Sequence, residues 1–325
     1  MTIATDDALA AFATTATSAV AQCAGLDPRG RARCLAEAGL IGVLAAEASG
    51  GLALGLDHAV PVLHAAGAGL LGYPLLESML LAAALGERPE AARIVLGDAT
   101  ATIAWSGGAQ LEGGLLSGTA GRAPMADSAD LVLVRLADGA ALVDATGPGV
   151  IIDAGDGLDL EAAECRVILS GATPLALLDG DAMDAILQGA RLLWAAAIGG
   201  AVETCLAAAV AHTSTRVQFG KALVSFQSLR HAMARQKLAA EHIGAAIARS
   251  LMHPDDRLAR AAAFAAATRF GASAVESALQ LHGGMGFTWD IPMHRHLRRI
   301  RAWDAQGDAP GLHRRLAADL LAANA

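Results

Sequence analysis

Along residues 5 to about 97, apolar positions recur at helical intervals of three and four, as in the run Leu35, Leu40, Val43 and Leu44. Asp27-Pro28 and Ser49-Gly50-Gly51 break that pattern into separate helices. Near residue 98 the period shortens. Thr102-Ile103-Ala104-Trp105, Leu131 to Val134, Ala141 to Val143, Gly149 to Ile152 and Arg166 to Leu169 read as short strands punctuated by Gly and Asp. Asp138-Gly139, between two of them, predicts a hairpin with a type I′ turn. The helical period returns at Asp181, in stretches near 181 to 213, 225 to 250, 256 to 282 and 308 to 323. The expected fold is therefore α+β, mainly α. A helical domain over residues 1–97 precedes an antiparallel β domain over 98–178, and a helical bundle over 179–325 follows. Gly67-Ala68-Gly69-Leu70-Leu71-Gly72 matches a dinucleotide fingerprint letter for letter, but that fingerprint works only between a strand and a helix. Here Tyr73-Pro74 follows, so the run predicts a helix end and turn.

Composition sharpens the picture of the interior. Hydrophobic residues make up 54% of the 325-residue chain, charged residues 17% and aromatics 3%, with a mean hydropathy of +0.44. Ala, Leu, Val and Ile must form the core. The longest apolar runs, such as Leu192 to Val202, are about half the roughly 20 residues of a membrane helix, so the apolarity predicts buried subunit interfaces and no membrane span. Asp6 and Asp7 stand where a signal peptide carries Lys or Arg, which predicts a cytoplasmic protein. Cys23, Cys34, Cys165 and Cys205 lie far apart with no zinc-ligand spacing; they read as buried thiols, with no metal site. A net charge of -8 argues against a nucleic-acid partner. The basic run His294 to Arg301 reads as an interface or solvated helix in preference to a contact for a ligand phosphate.

Two blocks carry specific chemistry. Arg216, Gln218-Phe219-Gly220-Lys221 and then Ser225-Phe226-Gln227 form one; Gln280-Leu281-His282-Gly283-Gly284-Met285-Gly286-Phe287 forms the other. Together, and in this order, they resemble the acyl-CoA dehydrogenases, with weaker echoes at Leu35 to Gly51 and Ala126 to Val134. The resemblance implies an N-terminal helical domain, a middle β domain, a C-terminal four-helix bundle and FAD held at a subunit boundary. It assigns Arg216, Gln218, Phe219, Phe226, Gln227, Gln280, Gly283 and Gly284 to the FAD of a neighbouring subunit. Arg offers charge-assisted hydrogen bonds to phosphate, and Gly lets backbone approach a ligand closely. An alternative reading makes Phe219 and Phe226 core residues and Arg216 a helix C-terminal charge.

The implied reaction removes an acyl-CoA α-proton with a carboxylate while the β-hydride passes to flavin and on to an electron acceptor. The family's two usual positions for that base fall here on Gly307 and on Ala190 or Gly189. Asp304 and Asp308 flank the first and are the candidate catalytic residues, although Asp308 is equally suited to cap the last helix. In the β domain, Ala104-Trp105-Ser106-Gly107-Gly108-Ala109-Gln110 keeps a strand and a Gly turn but lacks the family's polar set. These departures resemble the smaller subunit of bacterial heteromeric acyl-CoA dehydrogenases, some of which act on steroid side chains, with a homologous partner supplying the base. A homo-oligomeric enzyme, a silent structural subunit and a flavin monooxygenase on the same fold are the other readings.

Overall fold

The computed structural model describes residues 6–155 and 157–323. Five helices come first: α1 (Asp6–Gln22), α2 (Pro28–Glu37), α3 (Leu56–Ala68), α4 (Leu75–Leu85) and α5 (Pro89–Val95). Eight strands follow: β1 (Ala101–Ala104), β2 (Gln110–Glu112), β3 (Leu115–Pro124), β4 (Leu131–Arg135), β5 (Ala140–Asp144), β6 (Val150–Ala154), β7 (Glu164–Ala172) and β8 (Ala176–Leu178). The C-terminal part comprises α6 (Gly180–Thr215), the two-residue strands β9 (Val217–Gln218) and β10 (Lys221–Ala222), α7 (Gln227–Met252), α8 (Arg257–Leu281), α9 (Met293–Gln306) and α10 (Ala309–Ala323). Aspartates start several of these helices: Asp27, Asp179 and Asp256 accept the amide hydrogens of Gly30, Ala182 and Ala259, satisfying donors that the first turn leaves free.

The strands form two sheets, ordered β1-β4-β5-β8 and β2-β3-β7-β6. Val132, Val134, Ala141 and Val143 of the first sheet pack against Leu116, Val167 and Leu169 of the second. On its other face Ile103, Leu131, Leu133 and Leu142 join the helical core. Burial on both faces explains why these strands read as continuous apolar runs. One pairing departs from the antiparallel expectation: β1 runs parallel to β4, because the chain crosses through the second sheet between them. The turn at Asp138-Gly139 is not type I′, since only Gly139 takes a positive φ (101°). A Cβ there would lie 2.1 Å from the Leu178 carbonyl oxygen, so β8 closes over that glycine.

Helix α6 is the axis of the molecule. By length and composition it could cross a membrane, unlike any uninterrupted apolar run, yet 67% of its most apolar window is buried inside the chain. Glycines let α3 cross it closely: a Cβ on Gly67 would sit 1.9 Å from the Ala197 carbonyl oxygen, and one on Gly200 would sit 2.0 Å from that of His64. The G-x-G-x-x-G run is accordingly the end of α3 and its turn, as its Pro74 implied. The basic run becomes α9, whose Met293, His296, Arg299 and Ile300 are buried and therefore not a solvated face. Of the four cysteines, Cys34 is only half-buried, and all four are free.

Candidate functional site

At one end of the bundle, α6 stops at Thr215 and the chain turns through β9 and β10 into α7. Gln218 pairs with Lys221, leaving Phe219 and Gly220 as the two central turn residues, with φ of 53° and 80°. Positive φ at both is the signature of a type I′ turn, which normally takes Asn or Gly. A phenylalanine there is strained, and strain of this kind gathers where a loop is held for function. Phe219 is 90% exposed and so not a core residue. Its ring meets Phe226 edge-on at 6.1 Å, and the Lys221 ammonium lies 4.4 Å from the Phe226 ring centre. Arg216 is the C-cap residue of α6; its guanidinium is exposed and makes no ion pair among the described residues. Gln218 and Gln227 are also exposed, and Phe226 is half-buried.

The second block ends α8 beside the first. His212 in the last turn of α6 stacks on His282 at 4.5 Å, and His282 Nδ1 lies 2.9 Å from the Ala278 carbonyl oxygen. Desolvation, then the neighbouring His282 and Arg216, lowers the His212 pKa, which favours the neutral form of that ring. Neither histidine was assigned a role from sequence, because the stack joins residues seventy positions apart. Beyond it, Gly283 has φ of 60°, and a Cβ on Gly286 would meet the Leu279 carbonyl oxygen at 2.5 Å, so the chain itself requires both glycines. Gly284 has no such reason: its φ is ordinary and a Cβ would meet nothing within 4 Å. Gln280, Gly283 and Gly284 are exposed, with Phe287 and Trp289 71% and 68% exposed beside them. The eight residues assigned to FAD thus lie on the loops and adjoining helix ends at one end of the bundle.

The positions of the missing base are filled. A Cβ on Gly307 would lie 2.3 Å from Phe264 Cε1 and 3.1 Å from Trp194. Trp194 packs on Phe264 at 5.2 Å and edge-on against Trp105 at 4.7 Å, so three aromatic rings occupy this space. Ala190 is fully buried, and a Cβ on Gly189 would meet Leu80 at 2.7 Å. What remains is a cavity of about 40 Å³ lined by Tyr73, Glu77, Asp159, Arg299, Trp303 and Gln306 among others. That volume suits a water molecule, whereas small-molecule sites run to about 300–1,000 Å³. Its polar groups are tied to one another. Trp105 Nε1 donates to Glu77 at 3.0 Å; Arg299 donates to Asp159 at 2.6 and 3.3 Å and to the Leu71 carbonyl oxygen at 2.7 Å; Gln306 donates to Glu164 at 2.9 Å. Burial raises the pKa of Glu77 and of Glu164.

Asp308 has φ of 46°; its carboxylate accepts the Gly311 amide at 3.1 Å and pairs with Arg315 at 3.2 Å, making it the cap of α10. Asp304 faces a separate cleft between α8, α9 and α10, beside Arg301, Glu276 and His313. Burial raises its pKa, but it shares no lining residue with the small cavity.

The architecture is one in which helices flank a β sandwich, with two exposed loops at one end of the bundle. Residues 180–307 match the acyl-CoA dehydrogenase C-terminal domain family. Acyl-CoA dehydrogenase FadE34 of Mycobacterium tuberculosis is 28% identical over 275 residues, covering 82% of this chain and 38% of that protein. Acyl-CoA dehydrogenase IpdE2 of the same organism is 37% identical over 114 residues, covering 35% of this chain and 36% of that protein. The matched stretches thus span little more than a third of these curated relatives. Among solved structures, a variant of the Tcur3481-Tcur3483 steroid ACAD superposes with a TM-score of 0.87 at 25% identity, over 98% of both chains. The ChsE4-ChsE5 complex from Mycobacterium tuberculosis gives 0.87 at 24%, over 99% of both. Residues 180–307 thus match the acyl-CoA dehydrogenase C-terminal domain family, and the chain as a whole is similar to acyl-CoA dehydrogenases in sequence and fold.

Proposed function

We propose that the chain is a subunit of an acyl-CoA dehydrogenase that completes the FAD site of a homologous partner subunit and leaves the catalytic carboxylate to that partner. One observation carries this reading: the loop at Arg216 and Gly283-Gly284 is open to solvent, while the base position at Gly307 is packed shut by Phe264 and Trp194. The residues present fit FAD at the open end, where the Arg216 guanidinium makes no ion pair among the described residues and the missing Cβ atoms of Gly283 and Gly284 leave clear space. When bound there, FAD supplies the acceptor for the β-hydride of an acyl-CoA thioester. Arg216 would hold the cofactor's phosphate by charge-assisted hydrogen bonds. Gly284 would let bare backbone approach the cofactor, and exposed Phe219 would exclude water from it. Neither candidate carboxylate is placed to take the α-proton: Asp308 is held by its cap and Arg315, and Asp304 opens into a different cleft. The relatives described as steroid ACADs favour a bulky, steroid-type acyl group, which a 40 Å³ cavity in this chain could not hold.

Purification of the chain alone and together with the product of its neighbouring reading frame tests the reading through the flavin spectrum and enoyl-CoA formation. Colour and activity are expected only in the complex, and Arg216→Ala is expected to strip FAD from it. Yellow, active protein from this chain alone sinks the shared-site reading. Unchanged FAD retention in the Arg216→Ala complex would instead leave the chain a structural subunit.

A further inference from the structure

Two features unused by the flavin reading, the G-x-G-x-x-G run and the start of α9, meet in one cleft of about 400 Å³. That size lies within the range of small-molecule sites. Its walls come from the α1–α2 turn, the turn after α3, Thr204 of α6, Glu161 and the first turn of α9. Arg31 donates to the carbonyl oxygens of Gly72 at 2.6 Å and Cys23 at 3.4 Å, but meets no carboxylate among the described residues. Arg295 is paired with Glu161 at 3.0 Å, so the cleft keeps one uncompensated positive charge. Pro292 opens α9 without any side chain accepting from its first amides, which adds the positive end of a fourteen-residue helix. Deeper in, His296 is only 2% exposed and its Nδ1 has no hydrogen-bond partner. An orphan polar atom at such burial points to a group that the chain does not itself supply. Burial and then Arg299 push the His296 pKa down to about 4, so the ring is neutral and adds no charge at pH 7. Leu70 lines the same cleft at φ of 50°, a conformation that a branched side chain rarely adopts and that again marks a held turn.

We propose that this cleft binds a compact oxyanion, phosphate or carboxylate, that also carries a hydroxyl: Arg31 and the start of α9 take the anionic end, and His296 Nδ1 meets the hydroxyl. The glycines act here by keeping the turn small and not as a dinucleotide fingerprint. A Cβ on Gly72 would lie 2.5 Å from the Arg31 guanidinium and displace it, and one on Gly69 would lie 2.4 Å from Val20. Charge selects an anion, and Val20 and Leu71 leave apolar surface for a short carbon skeleton. The site is separate from the flavin loops and does not rest on them.

Isothermal titration calorimetry of the full chain in its assembled form, with inorganic phosphate and with malate as probes, tests the proposal. Saturable binding of one probe per chain is expected. A response to phosphate alone assigns phosphate monoesters, and a response to malate alone assigns hydroxy-carboxylates. Binding is expected to persist in Arg216→Ala, which removes the flavin loop as the origin of the heat. Arg31→Gln is expected to weaken it about tenfold or more, the loss of one charge-assisted contact. Ala24→Glu, at an exposed rim position where folding is not at stake, is expected to weaken it as strongly by neutralising Arg31. No saturable heat with either probe overturns the proposal, as does an affinity unchanged in both Arg31→Gln and Ala24→Glu.

Discussion

Gly307 stands where the resemblance expects a base, and its surroundings leave no room for one. Replacing a base with Gly leaves a gap that water or substrate could fill, but here Phe264, Trp194 and Trp105 have closed over it. Gly307→Glu is therefore expected to destabilise the chain by about 3 kcal/mol or more in urea unfolding, from overpacking and an unpaired buried charge, and to restore no activity. A folded, active Gly307→Glu protein acting without a partner would show that the cleft opens. Glu77 makes a second prediction. Its folded pKa is raised by burial, so the native state holds its proton to higher pH than the unfolded chain. That contribution is fully present below the unfolded glutamate value near about 4.3 and is lost as pH rises through the raised folded pKa. Glu77→Gln, which keeps an acceptor for Trp105 Nε1, is expected to flatten this fall; identical stability–pH curves for both proteins would assign the buried proton elsewhere.

The β9–β10 hairpin and the α3–α6 crossing show what whole elements demand of single positions. Phe219→Asn suits a left-handed turn position, so thermal unfolding should show a gain of up to about 1 kcal/mol. FAD retention by the complex should fall, because the exposed ring is lost. A gain in stability without loss of flavin would make the phenylalanine incidental. Gly67→Ala should cost about 3 kcal/mol, since its methyl meets the Ala197 carbonyl oxygen and backbone cannot step aside as a side chain can. The elements themselves were unevenly legible. Strands β4 to β7 announced themselves through Val, Ile and Leu, whereas β3 did not. Its Gly118 and Gly121 take φ of 111° and 98° at irregularities in the pairing, and it ends in Pro124. The charges of α9 hid its burial, because burying Arg299 depends on Asp159, 140 residues earlier in the chain.

Distance in sequence also divides the site into a readable and an unreadable half. The loops that the proposed function gives to flavin are contiguous runs, so Arg216 and Gly283-Gly284 could be picked out from the sequence directly. The filling of the base position could not, because Trp105, Trp194, Phe264 and Gly307 come from four separate stretches. Seen whole, the molecule carries exposed apolar groups at Val217, Phe219, Met285, Phe287 and Trp289 on the same end as its unpaired arginine. Large permanent interfaces bury such mixtures of aromatic and Arg side chains. Hydrogen exchange should accordingly slow over residues 216–226 and 283–289 when the partner subunit is added. Amides around Glu77 and Trp105, already deep inside this chain, should not change. Protection confined to the exposed edge strand β6 would place the partner on the sandwich instead and leave the flavin loops without a recipient.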